Sequence, residues 1–169
     1  PQETLIELGV SQAFEGGRRE ITFRDANGER RRLTVGIPKG VREGQKIRLA
    51  GQASTGGDLF LVVKLVKDAH FDVRGPDLVT QVRIHPWDAV LGVAVTVPTL
   101  EGEVRIKVPP GSSGGRQIRL RGRGYPLKGG SRSDLYAELS IAIPESISDE
   151  QRGLWEQLRD MAEPDDAEV

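Results

Sequence analysis

Few residues in this chain carry reactive chemistry. His70 and His85 are its two imidazoles, and neither shares a ligand-type spacing with the other or with carboxylates. A metal site needs three or four converging donors, so both read as turn residues and no metal site is expected. Gly111-Ser112-Ser113-Gly114-Gly115 is glycine-rich enough to suggest a phosphate cradle. A phosphate loop, however, runs into Lys-Ser/Thr at the start of a helix, and here an alternating strand follows. Ser112 and Ser113 lack a histidine nearby in sequence, and there is no Gly-x-Ser-x-Gly elbow. The chain has no cysteine, which excludes disulfides, thiolate zinc and a cysteine nucleophile. The sequence therefore predicts no catalytic residues and no cofactor, and a binding function in place of an enzyme.

The arginines are the remaining candidates. Arg30-Arg31-Arg32 form one cluster, and Arg116, Arg119, Arg121, Arg123, Lys128 and Arg132 a broader one. Basic residues interleaved on a strand suit phosphate contacts; they equally suit a solvated strand whose edge is protected by charge. Tyr125 is the one aromatic among the second group, too few for the stacking platforms of single-stranded nucleic acid.

The elements that would position such residues are short strands. The 169 residues include 21 glycines and 10 prolines, are 37% hydrophobic and 29% charged, and carry a formal net charge of -1. That composition fits a folded domain with many turns, and the near-neutral balance gives no general attraction to nucleic acid or anionic membrane. No apolar run approaches the roughly 20 residues of a membrane helix, and Pro1–Val10 lacks the pattern of a secretory signal. A cytoplasmic location is expected. The start at Pro1 suggests a piece of a longer protein.

The chain contains a duplication. Ile37–Gly51 (IPKGVREGQKIRLAG) and Val108–Gly122 (VPPGSSGGRQIRLRG) are identical at seven of fifteen positions, where chance would give about one. Asp58-Leu59-Phe60 recurs as Asp134-Leu135-Tyr136, and Ala13-Phe14-Glu15-Gly16 pairs loosely with Ala89-Val90-Leu91-Gly92. Two units follow, joined near Lys67–Gly75.

Within each unit the hydrophobic period is two. Leu33, Val35 and Ile37 share one face, as do Val104, Ile106 and Val108, the pattern of strands wet on one side. Asn27-Gly28 and Glu101-Gly102 predict hairpin turns, the former because both residues tolerate positive φ. Pro38 and Pro109 end strands. The apolar run Leu59–Val66 predicts a strand buried on both faces. Single helical turns are expected at Ser11–Glu15 and Pro86–Leu91. One longer helix should begin at Ser148, with Gln151 completing a capping box and Leu154, Trp155, Leu158 and Met161 forming an apolar stripe. The acidic tail Asp165–Val169 reads as disordered.

These motifs, in this order, resemble the C-terminal region of DnaJ-family co-chaperones. The resemblance is carried by Pro38-Lys39-Gly40, Gly44, Lys46–Leu49 and Gly57-Asp58-Leu59, then His70–Leu78 at the junction. In the second unit it is carried by Val97–Gly102, Val108–Gly111, Leu120–Gly124 and Asp134-Leu135-Tyr136. It covers Thr4 to Met161. The cysteine-rich zinc region of class A members is missing, so the chain resembles class B. No J-domain is present: His85-Pro86-Trp87-Asp88 has one residue too many for the His-Pro-Asp signature and follows a strand.

The resemblance implies an all-β fold of two tandem, related β-sandwich-like domains with a short C-terminal helix. The divisions would be 1–70 for client binding, 71–145 for the second domain, and 146–169 for a dimerisation helix and tail. It implies a shallow hydrophobic groove on the first domain that holds unfolded polypeptide as an added strand, for delivery to a DnaK-type chaperone. By position the groove falls on Ile6, Leu8, Arg19, Ile21, Phe23 and Phe71. Ile6/Leu8 and Ile21/Phe23 each sit two apart and share a face, which ordinary core residues would also do. Arg18 and Arg19 are placed to receive an acidic chaperone tail. Leu154, Trp155, Leu158 and Met161 would join two chains, unless the helix folds back on its own domain. Two rival readings stay open. One is DNA binding through the Arg116–Arg132 strand, since curved-DNA-binding relatives exist in this class. The other is a purely structural dimerisation module.

Overall fold

The computed structural model describes residues 2–162; the tail expected at Asp165–Val169 lies outside them. The first unit runs β1 (Gln2–Gly9), α1 (Val10–Glu15), β2 (Gly17–Arg24), β3 (Arg30–Ile37), β4 (Lys46–Leu49) and β5 (Leu59–Val66). The second opens with a short β6 (Asp72–Arg74) and then repeats the order: β7 (Asp77–Ile84), α2 (Pro86–Leu91), β8 (Val93–Thr99), β9 (Gly102–Val108), β10 (Gln117–Leu120) and β11 (Leu135–Ile141). Helix α3 (Asp149–Met161) follows.

The duplication is also one of topology. β5 lies between β1, which it pairs in parallel, and β4, antiparallel. β11 lies in the same way between β7 and β10. Each unit adds a separate two-stranded hairpin, β2–β3 or β8–β9. The alternation read from sequence places Ile6, Leu8, Ile21, Phe23, Val35 and Ile37 inward in the first unit, and Leu78, Val82, Val97 and Val108 inward in the second. The chain is an all-β protein of the two-unit, sandwich-like kind expected.

Each repeated residue performs the same task twice. Pro38 and Pro109 stop the hairpin just past Ile37 and Val108. The loops that follow dock under the short helices: Gly40 N–H donates to Ala13 O, and Gly111 N–H to Val90 O. Gly44 N–H donates to Val63 O at 2.8 Å and Gly115 N–H to Leu139 O at 2.7 Å. Asp58 takes the Gly51 N–H and the Arg48 guanidinium, and Asp134 takes the Gly122 N–H and Arg119. These donors, the glycine N–H foremost, hold both carboxyls below the usual carboxylate range. Gly16 adopts φ 65, ψ -149, a region essentially reserved for glycine, and a Cβ there would lie 2.7 Å from Ile37 O.

The Asn27-Gly28 hairpin forms as expected, and two local expectations, the burial of β5 and the start of α1, are corrected. The β2–β3 turn spans Asp25–Glu29, and among its residues only Gly28 has positive φ. Asp25 organises it, its Oδ1 accepting the N–H groups of Asn27 and Glu29. β5 is fully buried on one face alone: Leu59, Leu61 and Val63 are buried, Phe60 and Val62 half-buried, and Lys64 exposed. Helix α1 starts one residue early, at Val10.

The units meet through side chains that are distant in sequence. Tyr125 Oη donates to Val41 O at 2.6 Å. The Phe14 ring packs edge-on against Tyr125 with centroids 6.3 Å apart, and Arg132 lies over Phe14, 5.1 Å from its centroid. The junction is tied down by Asp68. Burial raises its carboxyl pKa, but N–H donations from Ser11, Phe71 and His70 outweigh that and leave it lowered. No helix among the described residues is long and apolar enough to cross a membrane.

Candidate functional site

β1 and β2 run side by side in the first unit but share no ladder. Among the described residues β1 pairs with β5 alone and β2 with β3 alone. One hydrogen bond crosses between them, from Thr4 Oγ1 to Arg24 O at 2.9 Å. Two strand edges therefore face each other with main-chain groups to spare. Gln2 N–H donates to Asp58 O on the β5 side. Successive residues of a strand turn their backbone groups to opposite edges, so Glu3, Leu5 and Glu7 offer theirs to the unpaired edge. In the second unit the start of the matching β7 edge is covered by β6, which pairs Asp72–Arg74 against Asp77–Val79.

The apolar part of the expected groove differs from the sequence reading. Ile6, Leu8, Ile21, Phe23 and Phe71 are all buried, Leu8 at 0% exposure and Phe23 at 6%. Ile6, Leu8, Ile21 and Phe23 are core residues in this conformation, while Phe71 lines two small recesses shared with His70 and Pro98. The reason is a cover that periodicity cannot reveal. Arg31, half-buried on β3, lies over the Phe23 ring at 5.7 Å from its centroid, and its guanidinium donates to the Gln52 backbone and side-chain oxygens at 2.5 and 3.0 Å. Arg19 is held back by Gly16 O at 3.2 Å and the Glu15 carboxylate at 3.3 Å. Sequence reasoning passed over Leu5. It is 57% exposed on the edge strand, and its signal was an apolar residue on the polar face between Glu3 and Glu7.

The terminal stripe splits. Ser148 Oγ accepts the Gln151 N–H at 3.1 Å and Gln151 Oε1 accepts the Ser148 N–H, the expected capping box. Trp155 turns inward, its ring 6.2 Å from that of Trp87, which stacks on His85 at 4.5 Å. Leu154, Leu158 and Met161 remain exposed, Met161 at 77%, beside the exposed Val90 and Leu91 of α2. Pro86, Trp87, Val90, Leu91, Trp155 and Leu158 line an apolar groove of about 340 Å³.

Three of the six basic residues proposed for phosphate are engaged within the chain. Arg119 pairs with Asp134 at 2.6 Å, Arg132 with Glu101 at 2.5 Å, and Arg116 donates to Ser112 Oγ. Among the described residues no cluster of His, Cys, Asp and Glu could hold a metal.

A doubled β-unit, each copy a mixed sheet with a separate two-stranded hairpin, defines a tandem β-domain protein. The particular family is shown by comparison: residues 2–144 match the DnaJ C terminal domain, and the chain belongs to that family. It is 45% identical over 159 residues to a Chaperone protein DnaJ of Deinococcus proteolyticus, covering 94% of this chain and 50% of the relative. It is 37% identical over 178 residues to a Curved DNA-binding protein of Pseudomonas syringae pv. tomato, covering 95% and 57%. A protein of the same name from Coxiella burnetii is 37% identical over 172 residues, covering 93% and 54%. The chain thus spans about half the length of these relatives. The DnaJ family is a chaperone family and a non-enzymatic one.

Proposed function

We propose that this chain holds unfolded or misfolded polypeptide on its first unit, residues 1–70, and in the cytoplasm presents it to a DnaK-type chaperone. The observation that carries the reading is the pair of unladdered edges, β1 and β2, set over Ile6, Leu8, Ile21 and Phe23. A strand edge recognises main chain regardless of client sequence, and apolar side chains beneath it add a preference for hydrophobic clients. The recess is closed at rest, so client side chains enter as Arg31 moves off Phe23. The second unit, 71–145, props the first through Tyr125 and Phe14, and 146–169 joins two chains through Leu154, Leu158 and Met161. Two modest sites on one dimer then gain by avidity on a long client.

Leu5→Pro tests this. Leu5 N–H faces the unpaired edge, where proline is tolerated, so the β5 ladder survives while one docking donor is lost. Affinity for a labelled unfolded polypeptide should fall about fivefold to tenfold, the worth of one main-chain hydrogen bond, while Leu5→Ala keeps it nearer the parent. Unchanged binding by folded Leu5→Pro removes the β1 edge from the site.

A second reading, contact with DNA, draws on the relatives named for curved DNA and on the arginine-rich hairpin of the first unit.

A further inference from the structure

We infer that the outer face of the β2–β3 hairpin is a contact surface for the phosphate backbone of duplex DNA; this rests on the second reading above and gives it a site. The hairpin Gly17–Ile37 carries six arginines against Glu20 on its strands and Asp25 and Glu29 in its turn, a net +3, in a chain whose net charge is -1. Its duplicate, Val93–Val108, carries Arg105 and Lys107 against Glu101 and Glu103, a net of zero. Equivalent ribbons on one scaffold thus differ mainly in charge, so protection of a strand edge does not by itself account for the arginines.

The alternation sorts them. Arg18, Glu20, Thr22 and Arg24 on β2 point outward with Arg30, Arg32 and Thr34 on β3. Arg24 stands directly opposite Arg30 in the register, with Thr22 opposite Arg32. Like charges facing across a ladder destabilise it, and such local rule-breaking is expected where function demands it. Arg32 pairs with Glu20 at 3.0 Å, while among the described residues Arg24 and Arg30 have no carboxylate within ion-pair distance. Asp25 in the adjoining turn is occupied by backbone N–H groups.

The chemistry of this face favours duplex over other polyanions. It presents arginines and the hydroxyls of Thr22 and Thr34, the groups that contact phosphates. It presents no aromatic ring for single-stranded bases to stack on and no apolar pocket to anchor an acidic peptide. Arg30 and Arg32 lie two strand residues apart, roughly 6.6 Å, which spans about two phosphates of one DNA strand when the hairpin runs along the helix axis, where each phosphate adds about 3.4 Å of rise. The face reads backbone, so it is indifferent to sequence.

The test is fluorescence anisotropy of the full chain with a labelled mixed-sequence DNA duplex across a salt series. A parallel series uses labelled polyglutamate. Each neutralised phosphate adds about 0.9 to the slope of log affinity against log salt. Replacing Arg24, Arg30 and Arg32 by Gln should flatten that slope by about 2.7 and weaken binding on the order of tenfold or more. Lys at the same three positions should retain the slope, and Arg105→Gln with Lys107→Gln on the second hairpin should leave it unchanged. Absence of duplex binding by the parent chain overturns the DNA reading itself. Duplex binding that persists with its full slope in the triple Gln variant keeps that reading and overturns this surface. Arginine-dependent binding of polyglutamate without duplex binding assigns the face to acidic polypeptide and overturns the proposal.

Discussion

The guanidinium of Arg31 lies 5.7 Å from the centre of the Phe23 ring, held there by two bonds to Gln52, twenty-one residues downstream. An arginine so placed is at once a cation–π partner and a lid. Removing it should uncover apolar surface without touching the core. Arg31→Ala is expected to bind an environment-sensitive hydrophobic dye more strongly than the parent and to hold an unfolded client more tightly. A population tax on opening, once lifted, appears directly in apparent affinity. Dye binding at the parental level would show that Phe23 is covered by something other than Arg31.

Tyr125 and Val41 lie 84 positions apart and share one buried hydrogen bond of 2.6 Å. Burial raises the tyrosine pKa well above its ordinary value, so the hydroxyl stays a donor across the working pH range. Tyr125→Phe removes the donor and leaves the Val41 carbonyl buried without it. Denaturant unfolding should show a loss of about 1–2 kcal/mol. Hydrogen exchange should rise around Val41 and Phe14 more than in the sheet of either unit. Uniform exchange changes would mean that the contact does not set how the units join.

Asp58 and Asp134 bear on acid stability with a definite sign. Both carboxyls are lowered from 3.8 in the folded chain. Their stabilisation is therefore complete above the ordinary value and is lost as pH falls through it toward the lowered one. The midpoint of thermal unfolding should vary little near neutrality and drop below about pH 4. In the double variant Asp58→Asn/Asp134→Asn the midpoint should start lower and the acid limb should be shallower. A limb as steep as the parent's would assign acid loss to other carboxylates.

Much of the fold was legible because the repeat identities are tasks of local geometry. Pro38/Pro109, Gly44/Gly115 and the Arg–Gly–Asp triangles act within one unit, over short sequence distances, and so leave matching traces in both copies. Period two located the strands and the inward faces for the same reason. The site was less legible. That Ile21 and Phe23 share a face follows from spacing, but whether that face is covered depends on how far Arg31 reaches toward Gln52. The inward turn of Trp155 depends on Trp87, and the engagement of Arg132 depends on Glu101. These pairings exist only after the chain is folded. Asn27-Gly28 located the β2–β3 hairpin correctly, but not that Asp25 would organise its turn, since that depends on which N–H groups its carboxylate reaches.

The exposed surface of α2 and α3 makes the last prediction. Leu154, Leu158 and Met161 stand out from α3 beside Val90 and Leu91, while Trp155 anchors the helix to its own domain through Trp87. A patch of this kind, fixed in position yet uncovered, is self-complementary when two chains meet about a two-fold axis, because each contact occurs twice. Burying one leucine contributes about 1.5–3 kcal/mol, and twice that in a symmetric pair. Leu158→Asp should therefore weaken association by roughly a hundredfold or more, seen in light scattering as a fall from two chains to one. Removing residues 148–169 should do the same. Trp155→Ala should act differently, loosening the helix from its own domain and shifting tryptophan emission even in the separated chain. A parent chain that is monomeric at every concentration would mean that this patch serves something other than a second copy.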